Sequence, residues 1–318
     1  MSNSLSSSVL QLTPANTEAR EAFNDVASAL RNNPNHVELL HASRFMLIQP
    51  YQPVNHNIVG VAKEHKSIGC ENTETETEVE SDIESQDSHP EFVGSYAISL
   101  EIRPNLPQIG WVVGVGRWQG RGSRSNGGVD LQVALPRTPF SKYKVAGRHA
   151  RIFLDETGSF VVANVSDRSP STKLGTEEFT TGQRLVTQQT SQISFGKLDY
   201  LLKFTVADEE NYQRDLRRYF SDHLFRQPAP PDLSATPSPW DVKLGDWIVR
   251  GTVGKGSYAT VSAAKHTVTG ETGAAKFLIR TRLTHATIAQ EIANLKSLPV
   301  HVRIQEIDNI QMLINRPK

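Results

Sequence analysis

Two closely spaced glycines, a lysine in an apolar run and a glutamate on the following helix constrain this chain more than any other feature. The residues are Gly254-Lys255-Gly256-Ser257-Tyr258-Ala259-Thr260-Val261, then Ala274-Ala275-Lys276, then Glu291. Residues 247–253 read as a strand, 260–267 as its partner, 269–273 as a turn, and the apolar run around Lys276 as a third strand. Residues 284–298 read as a helix with Ile288, Ile292 and Leu295 on one stripe, and Glu291 falls on the same side. A glutamate at such a place ordinarily keeps its head in solvent, but a lysine on the preceding strand favours pairing. Residues without Cβ tolerate both a tight turn and the close approach of a ligand, so a glycine hairpin can close its amides over phosphates. The plainer reading of the two glycines is an ordinary hairpin.

The order of these elements resembles the small lobe of Ser/Thr protein kinases, over about residues 240–298. The resemblance implies that Val253, Gly254, Lys255, Gly256 and Ser257 cover nucleotide phosphates and that Val261 lies under the adenine. It also implies that Lys276 reaches the α- and β-phosphates, with Glu291 as counter-charge. The implied cofactor is ATP, with magnesium where a complete kinase domain exists. Ala259 stands where many kinases carry a third glycine. A kinase also needs a His-Arg-Asp loop with a downstream Asn and an Asp-Phe-Gly. Neither motif occurs here; the sequence runs from Leu298 through Pro299 and Ile307 to Lys318, with room for one or two strands. As given, the chain is expected to hold half a nucleotide site and to be catalytically inactive, with no catalytic residue or metal ligand assigned.

The 318 residues carry 34 basic and 34 acidic side chains, so no overall field attracts nucleic acid or anionic membrane. Arg214, Arg217 and Arg218 are balanced locally by Asp208, Glu209, Glu210 and Asp215. Cys70, the only cysteine, excludes a disulfide within the chain. Residues 1–16 lack the basic start and apolar centre of a signal peptide, and no run approaches transmembrane length. The expected location is nucleus or cytoplasm, with neither a membrane nor a specific nucleic acid as partner.

Residues 1–91 read as a largely disordered tail. One amphipathic helix is expected over 17–31, with Asn16 as N-cap and Phe23, Val26 and Leu30 at helical spacing. Residues 71–91 are acidic, rich in Ser and Thr and nearly devoid of apolar side chains, a composition that cannot offset the entropy of ordering. They read as a solubilising spacer, or as a phosphorylation region in which Thr73, Thr75, Thr77 and Ser81 sit among carboxylates and Ser85 precedes Gln86. Self-association through such a phosphorylated tail is a further expectation.

Residues 92–206 change to short β-branched and aromatic runs separated by Gly, Pro, Asn and Asp, an all-β texture. Strands are expected at 95–102, 110–115, 129–134, 150–154, 159–165, 192–195 and 200–205, with Asp155-Glu156-Thr157-Gly158 as a hairpin loop. The runs Gly147-Arg148-His149-Ala150-Arg151-Ile152 and Ile193-Ser194-Phe195-Gly196, with the closing 200–204, resemble a forkhead-associated (FHA) domain. That family is a β-sandwich whose apical loops read phosphothreonine, which implies phosphorylated proteins as partners. In its Ser-Arg-x-His motif the serine donates to phosphate and the histidine braces the loop. Aligning on His149 places Ala146 and Gly147 at the serine and arginine positions. The family's upstream Gly-Arg aligns with Gly116-Arg117 or equally with Gly114-Val115, and its later Asn-Gly is missing near Leu174-Gly175-Thr176. Candidate phosphopeptide residues are Arg117, Arg121, Arg148 and His149, with Arg124 a further guanidinium suited to phosphate. The plainer readings are a buried histidine bonded to backbone, and a mobile polar loop over 117–124.

Residues 207–239 read as a helix over 208–225, with Tyr212, Leu216, Phe220 and Leu224 on one stripe, followed by a Pro-rich linker. Residues 240–318 form the incomplete small lobe, an antiparallel sheet plus one helix. The expected fold is mainly β with an α+β portion. The function implied by the two resemblances is phosphoprotein recognition linked to a Ser/Thr kinase domain, as in checkpoint-type kinases. The alternative is a non-catalytic scaffold in which both folds are degenerate.

Overall fold

A computed structural model describes residues 8–33, 37–51, 91–116, 128–166, 170–224, 237–238, 240–256, 259–278, 285–296, 302–307 and 310–315. The fold is mainly β, in three sheets, with helices at the margins. Among the described residues, no helix is long and apolar enough to cross a membrane. The tail segments at Thr73, Thr75, Thr77, Ser81 and Ser85, the residue Cys70 and most of the Pro-rich linker lie outside the described residues.

Within the segment 1–91, expected to be largely disordered, residues 8–33 and 37–51 are ordered. Strand β1 (Ser8–Pro14) lies between β3 (Phe92–Ser99) and β12 (Leu198–Phe204) in the interior of a seven-stranded sheet. Its Leu10 and Leu12 alternate onto the core face and are fully buried. Helix α1 (Thr17–Asn32) begins where the side chain of Asn16 accepts from the Ala19 amide, and the same Asn16 donates to the Lys197 carbonyl at 2.8 Å. Phe23 and Val26 are buried, Phe23 edge-on to Tyr96 with ring centroids 5.4 Å apart. Helix α2 (Val37–Ser43) and edge strand β2 (Met46–Pro50) complete this segment, β2 pairing with β3. Long-range pairing orders β1, whose strand neighbours are β3 and β12.

The remaining strands are β4 (Trp111–Gly114), β5 (Leu131–Gln132), β6 (Ala150–Leu154), β7 (Phe160–Asn164), β8 (Thr172–Leu174), β9 (Glu177–Phe179), β10 (Gln183–Leu185) and β11 (Thr190–Phe195), with a one-turn helix α3 (Phe140–Tyr143) after β5. The seven-stranded sheet runs β2-β3-β1-β12-β11-β8-β9 and a five-stranded sheet runs β10-β7-β6-β4-β5. Their inner faces share one core, in which Leu10, Tyr96, Tyr200 and Leu202 meet Trp111, Ile152, Phe160 and Val162. This is a β-sandwich. Helix α4 (Glu209–Tyr219), capped by Asp208, continues as a π-helical turn Phe220–Leu224. Its stripe of Tyr212, Leu216 and Phe220 joins the same core, and Tyr219 stacks on Trp111 at 5.6 Å.

A third, six-stranded antiparallel sheet follows, in the order β13-β14-β15-β16-β18-β17. Its strands are β13 (Val242–Leu244), β14 (Trp247–Lys255), β15 (Ala259–His266), β16 (Thr272–Leu278), β17 (Val302–Ile307) and β18 (Ile310–Asn315). Helix α5 (His285–Lys296) lies between β16 and β17. The sequence has room for one or two strands after α5, and two form. A small cluster of Leu244, Trp247, Val249, Ala264 and Ala275 fills one face, with Phe277 packed against it. The opposite face meets the sandwich, where the Leu185 amide of β10 donates to the Thr267 carbonyl at 2.9 Å and Lys243 approaches Glu177 at 3.8 Å.

Candidate functional site

Register in the third sheet assembles the glycine loop, the lysine and the glutamate. Gly254 pairs with Val261 across β14 and β15, and Val261 pairs with Lys276 across β15 and β16. Directly opposed residues share a face, so Gly254, Val261 and Lys276 form one row. The Lys276 ammonium contacts the Glu291 carboxylate of α5, with both side chains half-buried. Strand β14 carries register shifts between Arg250 and Thr252 and between Thr252 and Gly254, and Gly251 adopts φ 56°. The bulges leave the loop end of β14 exposed, including Val253 at 57%. The Gly256 amide closes the hairpin on the Ala259 carbonyl at 2.8 Å, and Lys255 pairs with Thr260.

Among the described residues, a Cβ placed on Gly254 would meet nothing within 4 Å, and its backbone is not left-handed. Neither chain geometry nor internal packing therefore requires a glycine here. What remains is approach from outside, which an absent side chain permits. The donor that suits a nucleotide's phosphates is the Lys276 ammonium, held in place by the Glu291 carboxylate beside the glycine hairpin. Ser257 and the side chains of Ile292 and Leu295 lie outside the described residues. Among the described residues no group of three or more His, Cys, Asp or Glu could hold a metal ion.

In the sandwich, residues 146–149 form a loop stitched to the end of β4. The Val115 amide donates to Ala146, the Gly116 amide to Gly147 and the His149 amide to Val113. His149 is fully buried. Its Nδ1 faces the Ala146 amide at 3.3 Å and its Nε2 the Ser171 carbonyl at 3.1 Å, an arrangement that requires the neutral ring with Nε2 protonated. Burial pushes its pKa down to about 4, against a smaller opposing pull from the Ser171 carbonyl. His149 thus ties two apical loops together and does not present its ring to solvent. Arg148 beside it is exposed, whereas Arg117, Arg121 and Arg124 lie outside the described residues.

Three groups escaped sequence reasoning. Asn164 at the end of β7 donates to the Pro170 carbonyl at 2.8 Å and accepts from the Ser166 amide at 2.9 Å, bracing the second apical loop. Its only sequence signal is a polar residue closing the run Phe160-Val161-Val162-Ala163. Fully buried Asp130 accepts from the Asn105 and Val112 amides, both at 2.8 Å, and pairs with His41 of α2 at 2.8 Å. Lys265 of β15 is buried against Asp155 and Thr157 of the β6–β7 hairpin.

No protein-family model matches the chain, and no curated protein matches it. Among solved structures, the crystal structure of Rad53 1-466 in complex with AMP-PNP is similar at 17% sequence identity and a TM-score of 0.33, covering 65% of this chain and 46% of that one. The chain thus spans less than half the length of that relative. A likeness at that level carries no argument about function.

Proposed function

We propose that the chain couples a phosphoprotein-recognition module to an ATP-binding small lobe of the Ser/Thr kinase type. The observation that carries this reading is the row of Gly254, Val261 and Lys276 with Glu291 on the lysine. An open glycine hairpin supplies backbone amides to phosphate oxygens, and a positioned ammonium neutralises charge beside them. When bound, ATP would supply the transferable phosphoryl group. The role of this chain's residues is binding and orientation: Val261 beneath the base, Lys276 at the phosphates, Glu291 fixing the lysine. Phosphoryl transfer depends on positioned metal charge and a residue that orients the nucleophile, and the sequence holds neither the His-Arg-Asp nor the Asp-Phe-Gly motif that supplies them in kinases. Residues 1–318 are therefore proposed to bind nucleotide weakly and to transfer nothing unaided. Titrating the purified chain with AMP-PNP by calorimetry tests this. Millimolar binding lost on Lys276→Ala supports the reading, and identical behaviour of wild type and variant contradicts it.

The scaffold reading is favoured at one place. Ala146, where the FHA motif has serine, is buried, and its amide faces inward to His149. Phosphate recognition there would fall to exposed Arg148 and to arginines of 117–124. Phosphorylated proteins remain the proposed partners, bound more weakly than by a complete motif.

A further inference from the structure

Lys265 is 1% exposed, yet it is an ammonium on a strand of a small sheet. Burying a charge is costly unless it is paired and hydrogen-bonded, and both partners come from the sandwich: Asp155 Oδ2 and Thr157 Oγ1. Arg250, diagonal to Lys265 across β14 and β15, is equally buried and holds Asp241 at 2.9 Å. The Asp155 carboxylate also bears electrostatically on Arg250. Two cations of the lobe thus share a dry contact with one carboxylate from each side.

The hairpin that provides Asp155 is itself fixed from behind. Gly158 has φ +81°, and a Cβ on it would come within 2.4 Å of Leu216 Cδ2, so α4 packs directly on the turn. Asp155 Oδ1 accepts from the Thr157 amide at 2.9 Å and the Ser159 amide at 3.1 Å, which fixes the carboxylate and leaves Oδ2 for Lys265. Beside it, β10 extends its hydrogen bonding to Thr267, so that the lobe covers an edge of the five-stranded sheet. Among the described residues, the lobe's buried cluster is Leu244, Trp247, Val249, Ala264 and Ala275, all on the face away from Lys265.

We propose that the β6–β7 hairpin is a built dock for the lobe, and that sandwich and lobe form one cooperative unit joined through Asp155 and Lys265. The dock lies at the opposite end of β6 and β7 from the loops braced by His149 and Asn164, so docking leaves those loops free. Lys265 and Val261 alternate on one face of β15, roughly 13 Å apart at strand rise, so the dock buttresses the face that carries Lys276. This inference does not depend on nucleotide or phosphate binding, because its test reads backbone protection alone.

The test is amide hydrogen exchange of the full chain, resolved by peptide, across a denaturant titration. The expected result is that peptides of β14–β16 and of β6–β7 lose protection at one midpoint; a separate, lower midpoint for β14–β16 would overturn the proposal. Asp155→Asn keeps the Oδ1 turn and removes the charge that faces Lys265. It should speed exchange in β14–β16 by roughly tenfold or more. Adding Lys265→Met, which leaves no unpaired buried charge, should recover much of that protection. Unchanged exchange in β14–β16 of Asp155→Asn would contradict the dock, as would an additive loss in the double variant.

Discussion

Val261 on β15 stands directly across from Lys276 on β16, and this register aligns the glycine hairpin with the one ammonium held by Glu291. The same strand carries Lys265 into the sandwich. One strand of eight residues therefore serves both a candidate ligand face and an interdomain contact.

Removing residues 1–51 should unfold the sandwich, because β1 bonds to β3 on one side and β12 on the other and buries Leu10 and Leu12 between the sheets. Far-ultraviolet circular dichroism and a denaturant melt of the truncated chain will show loss of the cooperative transition. A truncated chain with unchanged stability would refute the placement of β1.

Asp130→Ala should cost about 3 kcal/mol or more, since the Asn105 and Val112 amides lose their acceptor in a fully buried place. His41→Ala, which removes the Asp130 contact of α2 and an edge-on ring contact to Phe45 but leaves both amide donors bonded, should cost about 1 kcal/mol. Chemical denaturation of both variants checks the order, and equal costs would contradict it.

The pH dependence of stability follows from His149. Its folded pKa of about 4 lies below the ordinary 6.5, so between those values the unfolded chain binds the proton and the folded chain does not. Stability is therefore intact above pH 6.5, falls as pH drops toward 4, and levels off below, for a total loss of about 3 kcal/mol from this residue. Replacing His149 by Gln should flatten this segment of the profile measured by urea melts. A wild-type profile that rises on acidification through the window would be opposite in sign.

Phosphothreonine peptides should bind the sandwich weakly, because each lost charge-assisted donor costs about 1.5–3 kcal/mol. Fluorescence titration with a peptide panel will show micromolar or weaker affinity that drops further in Arg148→Ala. Submicromolar, phosphate-dependent binding would contradict the reading of Ala146.

Much of this was legible locally. The helix start at Asn16, the β6–β7 hairpin, the three strands from Trp247 to Leu278 and the stripe of α4 all rest on period and turn residues within a short window. What escaped depends on partners far along the chain. Ser8–Pro14 is a short run beside a Ser-rich start, and only its pairing with the distant strands β3 and β12 makes it a strand of the sheet interior. Asp155 and Lys265 are 110 residues apart, each reading alone as a solvated charge. Strands of three residues such as β8 to β10 and β13 are too short to display a period.

Gly254→Val tests the central claim most directly. The added side chain points into open space on a backbone that tolerates it, so the melting transition should match that of the wild type. AMP-PNP binding should nevertheless fall by roughly tenfold or more, because the side chain occupies the approach to the hairpin amides. Unaltered nucleotide binding in a stably folded Gly254→Val variant would show that the row of Gly254, Val261 and Lys276 is not a nucleotide face.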